Sequence, residues 1–300
     1  MNTQSSLSAA HRNFRPATAR VSPGRAARAI GILGLVCLSG HAGRAQTTIL
    51  GSTGGYAVMA GSTLTNNGAT TIEGNLGAAN FAGSGSLTLT GTQVSPITVQ
   101  NQSDFTKAFD GLVAMSPTAN LTGLVLGTSS GATVLTPGVY HFDTTAQLTG
   151  SLVLDAQNQS NAVWVFQIGS TFTTAANATV TFVNLAANSS AADGVFWQVG
   201  TATTIGADTT LAGNLLGGTT FDFGTGATIS NGRALTGTGT ITLGGNAFDF
   251  VGPDSGYSGG LAFVGGGNVI SAIPEPATYA LLAGMGALVA AIARRRSLAR

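Results

Sequence analysis

Three stretches between residues 195 and 241 place apolar side chains, a glycine and a threonine-rich segment in the same order: Val195-Phe-Trp-Gln-Val-Gly200-Thr-Ala-Thr-Thr-Ile205, Asn214-Leu-Leu-Gly-Gly218-Thr-Thr-Phe-Asp-Phe223 and Arg233-Ala-Leu-Thr-Gly237-Thr-Gly-Thr-Ile241. The anchoring glycines are 18 and 19 residues apart. Val163-Trp-Val-Phe-Gln-Ile-Gly169-Ser-Thr-Phe-Thr173 has the same shape 31 residues earlier, with the Asn/Ala/Ser-rich insertion 184–193 absorbing the excess. Tyr56-Ala-Val-Met-Ala-Gly61-Ser-Thr-Leu-Thr65 repeats it near the start of the mature chain. A repeat that cannot bury its apolar face alone must stack on its neighbours. This period divides into three sides of about six residues, each a short strand plus a corner, which predicts a triangular β-solenoid. In the coil beginning at Val195 the sides are 195–199, 201–205 and 209–214, and alternation sends Phe196, Ile205 and Leu211 inward. Trp164 and Trp197 align as equivalent core or corner residues. The corner glycines are expected to supply positive φ and to let successive backbones approach closely.

One segment breaks the pattern. Residues 103–116 carry Phe105, Phe109, Leu112 and Val113 at helical spacing, with Ser103 as N-cap, Asp104 in the first turn and Pro117 closing the element. A single apolar stripe on an isolated helix implies docking along the solenoid's flank.

The two ends read as targeting segments. Residues 1–45 hold five arginines before an apolar stretch and a small-residue sequence, the pattern of a secretory signal peptide. The only cysteine, Cys37, lies inside that stretch. At the other end Pro274, Glu275 and Pro276 precede 17 uncharged residues (277–293) and three arginines. Such a run barely crosses a hydrocarbon core of about 30 Å, and the arginines stay cytoplasmic. This arrangement resembles the PEP-CTERM sorting signal, whose members are cut near the Pro-Glu-Pro by an exosortase. It implies export to the cell surface or extracellular matrix, with a transient or permanent inner-membrane anchor. Residues 251–272, rich in glycine, read as a tether between the domain (46–250) and this signal (273–300).

Trimming both ends changes the charge balance. The formal charge of the full chain is +1, but between residues 46 and 273 two basic residues, Lys107 and Arg233, face ten acidic ones, giving −8. Such a surface repels phosphate backbones, so nucleic acid is excluded as a partner. No cysteine remains for disulfides or cysteine-rich metal sites. The one histidine, His141, sits in the alternating run Gly138-Val-Tyr-His-Phe142 and reads as a strand residue, not a base. The aspartates fall mostly at corners, where turn chemistry accounts for them, and the spacing of calcium-binding solenoids is absent. The expectation is no enzyme, no metal and no cofactor.

The second side of the repeat carries an excess of threonine: Thr63, Thr65, Thr171, Thr173, Thr201, Thr204, Thr220, Thr240 and Thr242 among them. Outward residues of stacked strands recur every 4.7 to 4.9 Å, and β-branched side chains hold few rotamers. Hydroxyls and methyls then form a pre-ordered grid able to hold water in an ice-like layer, because the ordering has been completed in folding. Segments 56–77, 135–157, 161–174, 195–214 and 226–243 resemble the ice-binding-like family of microbial antifreeze proteins. The resemblance implies a right-handed, discontinuous β-solenoid with one long helix alongside, no metal or cofactor, and a flat ice-binding face. It also implies Thr-Ala/Gly-x-Thr/Asn stretches, matched here by Thr174-Ala-Ala-Asn177, Thr201-Ala-Thr-Thr204 and Thr225-Gly-Ala-Thr228. Asp222, with Phe221 and Phe223, interrupts the threonine ladder. Two readings stand: a surface-held ice-binding protein, and a non-enzymatic matrix or adhesion solenoid binding exopolysaccharide.

Overall fold

The computed structural model of the protein describes residues 49–127, 131–159, 162–186, 194–250, 261–263 and 270–272. Among these, 21 strands join into one continuous sheet wound on three sides, and all of its pairings are parallel. On the first side the rungs run 119–120, 138–142, 164–168, 195–199, 214–217, 233–236, 58–60, 75–78 and 93–94. Spatial order therefore departs from chain order. The coils of residues 56–94 stack beyond the last repeat, and the helix Val99–Val113 carries the chain back along the first side to residue 119. Fifteen helical residues at 1.5 Å each cover about 22 Å, or four to five rungs.

This helix, α1, begins four residues before the expected start. Thr98, not Ser103, is its N-cap: Thr98 Oγ1 accepts from the Asn101 N–H at 3.1 Å, and Asn101 Oδ1 accepts from the Thr98 N–H at 3.0 Å. Asparagine completes a capping box usually built with Glu or Gln. The far end stops at Val113, ahead of the expected 116. There the Gln167 side-chain amide donates to the carbonyls of Leu112 (2.7 Å) and Met115 (2.8 Å), satisfying acceptors that a helix end leaves open. Asp104 ties α1 to the start of the domain, accepting from the Ser52 N–H (2.9 Å) and hydroxyl (2.7 Å) and from Gln100 (2.6 Å). Burial pushes the Asp104 carboxyl up, but these hydrogen bonds and the charge of Lys107 outweigh it, and the net shift is downward.

The first side is buried on both faces. Val195–Val199 is covered throughout, because the solenoid interior takes one face and α1 the other. Val195, Trp197 and Val199 point into the interior. Phe196, expected inside, instead packs outward in the layer under α1 with Phe105, Leu112, Val165, Leu216 and Leu235. A strand buried on both faces reads as a continuous apolar run, which removes the alternation that would mark its inner face. Trp164 and Trp197 are both core residues but not register equivalents. Trp164 pairs with Val195, and Trp197 pairs with Phe166, its ring stacked on the phenyl at 4.0 Å. Each indole finds an acceptor, the carbonyl of Leu135 for Trp164 and of Ala212 for Trp197.

The corners explain the small residues. Between the first and second sides the anchoring glycines stack: a Cβ on Gly200 would lie 2.4 Å from the Gly169 oxygen, and one on Gly61 2.0 Å from the Gly237 oxygen. None of these four has positive φ, so close backbone approach alone demands glycine there. The next corner does require left-handed backbone, with Asn177 at φ 61°, Asp208 at 54° and Gly226 at 75°. Arg233, 4% exposed, fastens the N-terminal coils to the last repeats, donating to the Gly54 carbonyl (3.1 Å) and Asn214 Oδ1 (2.8 Å) and lying over the Phe250 ring.

The expected tether 251–272 contains structure. Leu261–Phe263 and Ile270–Ala272 pair as an antiparallel hairpin, and Leu261 is buried in the layer between α1 and the first side. Residues 1–45 and 273–300, including the apolar run 277–293, lie outside the described residues. Among the described residues no helix is long and apolar enough to cross a membrane.

Candidate functional site

The second side consists of short strands whose burial reads inward, outward, inward: Phe172–Thr174, Thr203–Ile205, Phe221–Phe223 and Ile241–Leu243. Their middle residues and the equivalents in the N-terminal coils are successive partners: Gln147, Thr173, Thr204, Asp222, Thr242, Thr65 and Ala82. A second column lies two residues before each: Thr145, Thr171, Ala202, Thr220, Thr240, Thr63 and Asn80. Its register follows from backbone bonds of Phe172 to Ala202, Thr203 to Thr220 and Phe221 to Thr240, and from the pairing of Thr63 with Asn80. The hydroxyls of Thr240 and Thr220 lie 3.4 Å apart. Two strand residues separate the columns by about 6.6 Å, and five rungs from Thr173 to Thr65 span about 19 Å.

Eight of the nine threonines expected on this face occupy these columns, and all nine are exposed or half-exposed. Thr201 is the exception. Its N–H bonds to Ser170 and its carbonyl to Thr219, which sets it at the glycine corner and leaves Ala202 in the column. Phe221 and Phe223 do not interrupt the ladder, since both point into the core and only Asp222 faces out. Of the three Thr-Ala/Gly-x-Thr/Asn stretches, only 201–204 lies along this face. Thr174 is buried at the next corner, and 225–228 turns that corner onto the third side. A four-residue motif carries no information on where the corner falls.

Beneath the two columns runs a packed inner ladder. The inward ladder Phe172, Thr203, Phe221, Ile241 and Leu64 is fully or almost fully buried. Thr203 Oγ1 has no hydrogen-bond partner there. At the following corner buried polar side chains hold the turning backbone. Thr174 Oγ1 accepts from the Gly206 N–H (2.8 Å), Thr209 Oγ1 donates to the Ala175 carbonyl (3.0 Å), and Asn246 Nδ2 donates to the Gly224 carbonyl (2.7 Å). Buried groups satisfied in this way fix one geometry.

The third side carries a ladder that the sequence reading missed: Ser151, Thr179, Thr210, Thr228, Ala247, Thr71 and Thr88 in one register. A signal was available, since Thr210 and Thr228 each follow a left-handed corner residue by two positions. This side differs electrically. Glu73 and Asp249 stand exposed next to the column, one residue beyond the paired Ile72 and Phe248. The two columns of the second side contain one charged residue, Asp222.

His141 is held in the strand network, with Nδ1 3.2 Å from Gln167 Oε1 and Nε2 3.1 Å from Asp143 Oδ1. Among the described residues no group of three or more His, Cys, Asp or Glu is placed to hold a metal ion.

The comparisons agree with this architecture. The ice-binding-like family profile matches residues 58–249, and the PEP-CTERM protein-sorting motif matches residues 272–297. The chain is 40% identical over 220 residues to an ice-binding protein of Nostoc sp. (strain HG1), covering 71% of this chain and 78% of that one. An ice-binding protein from the Antarctic ascomycete Antarctomyces psychrotrophicus superposes with a TM-score of 0.60 at 30% identity, over 67% of this chain and 97% of that one. One from an Antarctic biological consortium does so with a TM-score of 0.60 at 33% identity, over 68% and 92%. With its discontinuous three-sided solenoid, flanking helix and family match from residue 58 to 249, the chain belongs to the ice-binding-like family.

Proposed function

We propose that this protein is exported and binds ice through its second side, with Thr63, Thr65, Thr171, Thr173, Thr204, Thr220, Thr240 and Thr242 as the contacting residues and Thr201 at the margin. The observation that carries this reading is the pair of registered, nearly uncharged columns repeating at the rung spacing. Restricted χ1 rotamers and a backbone fixed on both flanks mean that little entropy is lost on contact. If each methyl removes about 25 Å² of apolar surface from water, eight contribute about 5 kcal/mol. The ice-binding proteins it resembles support a non-enzymatic role.

The sorting motif supports export. We read Pro274, Glu275 and Pro276 as the segment an exosortase-type enzyme recognises, and 277–293 as the membrane anchor before processing. Asp222, which breaks the central column, favours a second reading in which the face binds exopolysaccharide in a matrix.

The test is thermal hysteresis and recrystallisation inhibition by the exported chain and by Thr204→Tyr and Thr242→Tyr. A phenol standing proud of the plane lifts the adjacent rungs from ice, so both variants lose activity while keeping the β-rich circular dichroism spectrum. An inactive native chain with intact β structure refutes ice binding and favours the matrix role.

A further inference from the structure

The hairpin formed by Leu261–Phe263 and Ile270–Ala272 ends where the sorting motif begins, at residue 272. In the surface-held form of the protein, the attachment to the cell lies at or beyond this point. Only Ile273 separates the hairpin from Pro274. Even fully extended, the four residues 273–276 reach no more than about 14 Å. The first strand of the hairpin is not loose, because Leu261 is 1% exposed and Phe263 packs with it in the layer between α1 and the first side. The chain thus leaves the domain on its helix-covered side.

From this we infer that the hairpin is an orienting latch: it holds the surface-attached protein with α1 toward the cell and the second side outward, presenting the threonine columns to ice beyond the cell. The outward normals of a triangle's sides diverge by about 120°, so a body attached at the first side turns the other two away from the surface. An unlatched segment 251–272 would act differently. As a glycine-rich coil it would have a root-mean-square span of about 26 Å and would let the domain tumble. This inference rests on the second side being the ice-contacting face only for its consequence. The orientation itself stands on the packing of Leu261 and the position of the motif.

Single cysteines test it, since the chain has only Cys37, upstream of residue 46. Cells displaying the full chain with Thr204→Cys or Lys107→Cys are treated with a long polyethylene-glycol maleimide, alongside the same proteins released from the surface. Lys107 lies on the outer face of α1, half exposed. The expected result is equal labelling of Thr204→Cys on cells and in solution, with Lys107→Cys an order of magnitude slower on cells than in solution. Adding Leu261→Asp restores the Lys107→Cys rate on cells and lowers capture of cells by a growing ice front, while the released domain keeps its recrystallisation inhibition. Equal labelling of both sites on cells with the native hairpin overturns the inference. Absent hysteresis in the released domain, with the labelling asymmetry intact, would refute ice binding and leave the orientation standing.

Discussion

Asp222 is the one carboxylate in the central column, partnered by Thr204 on one side and Thr242 on the other. Replacing it with threonine would join Thr173 and Thr204 to Thr242 and Thr65, giving five consecutive threonines over about 19 Å. Bringing the face against ice leaves the carboxylate with water it cannot order freely. A polar group left without its partners costs about 1–3 kcal/mol, and more when charged. Because about 1.4 kcal/mol is tenfold in a binding constant, Asp222→Thr should lower the protein concentration giving half-maximal thermal hysteresis by about tenfold or more. Stability should change little, since an exposed site is usually worth within about 0.5 kcal/mol, and threonine is the better strand former. Asp222→Asn, which removes the charge but adds no methyl, should fall between the two. The assay is hysteresis against concentration for the three proteins, with thermal melts to establish equal folding. Native-like or lower activity for a fully folded Asp222→Thr would refute the argument that a continuous column sets affinity.

Thr203→Val removes a buried hydroxyl that has no partner and keeps the side chain's shape, so it should stabilise by about 1 kcal/mol. In a domain of this size that raises Tm by about 2–4 °C, and a lower Tm would show that the hydroxyl is satisfied. Gly61→Ala places a methyl against the Gly237 carbonyl at the junction between the N-terminal coils and the last repeat. Urea melts should show a loss of about 3 kcal/mol, and an unchanged midpoint would mean that the junction can open. The Asp104 carboxyl, whose pKa is lowered by folding, contributes stability that is fully present above the unfolded value of about 3.9 and lost as pH falls through the lower folded value. Asp104→Ala should therefore cost about 1 kcal/mol at pH 7 after solvent screening. Melts across pH 2 to 7 should show that difference close in acid, and a constant difference would assign it to packing instead.

The repeat, its period, the recurrence of threonine, the acidic domain and the C-terminal sorting motif are all local properties, and the sequence by itself determined them. Each corner needs a residue tolerant of close approach or left-handed backbone, and each side needs β-branched residues, so the pattern is written into consecutive positions. Tertiary structure decided what local pattern cannot encode. Phe196 faces the helix rather than the interior, because a strand covered on both faces loses the alternation that distinguishes them. Thr63 and Thr65 extend the columns of Thr240 and Thr242, because the N-terminal coils stack end-on against the last repeat. That contact is made between exposed strand edges with no sequence adjacency. Ala202 rather than Thr201 enters the second column, because parallel register is set by the rung-to-rung backbone bonds on either side, and those depend on neighbours many residues away.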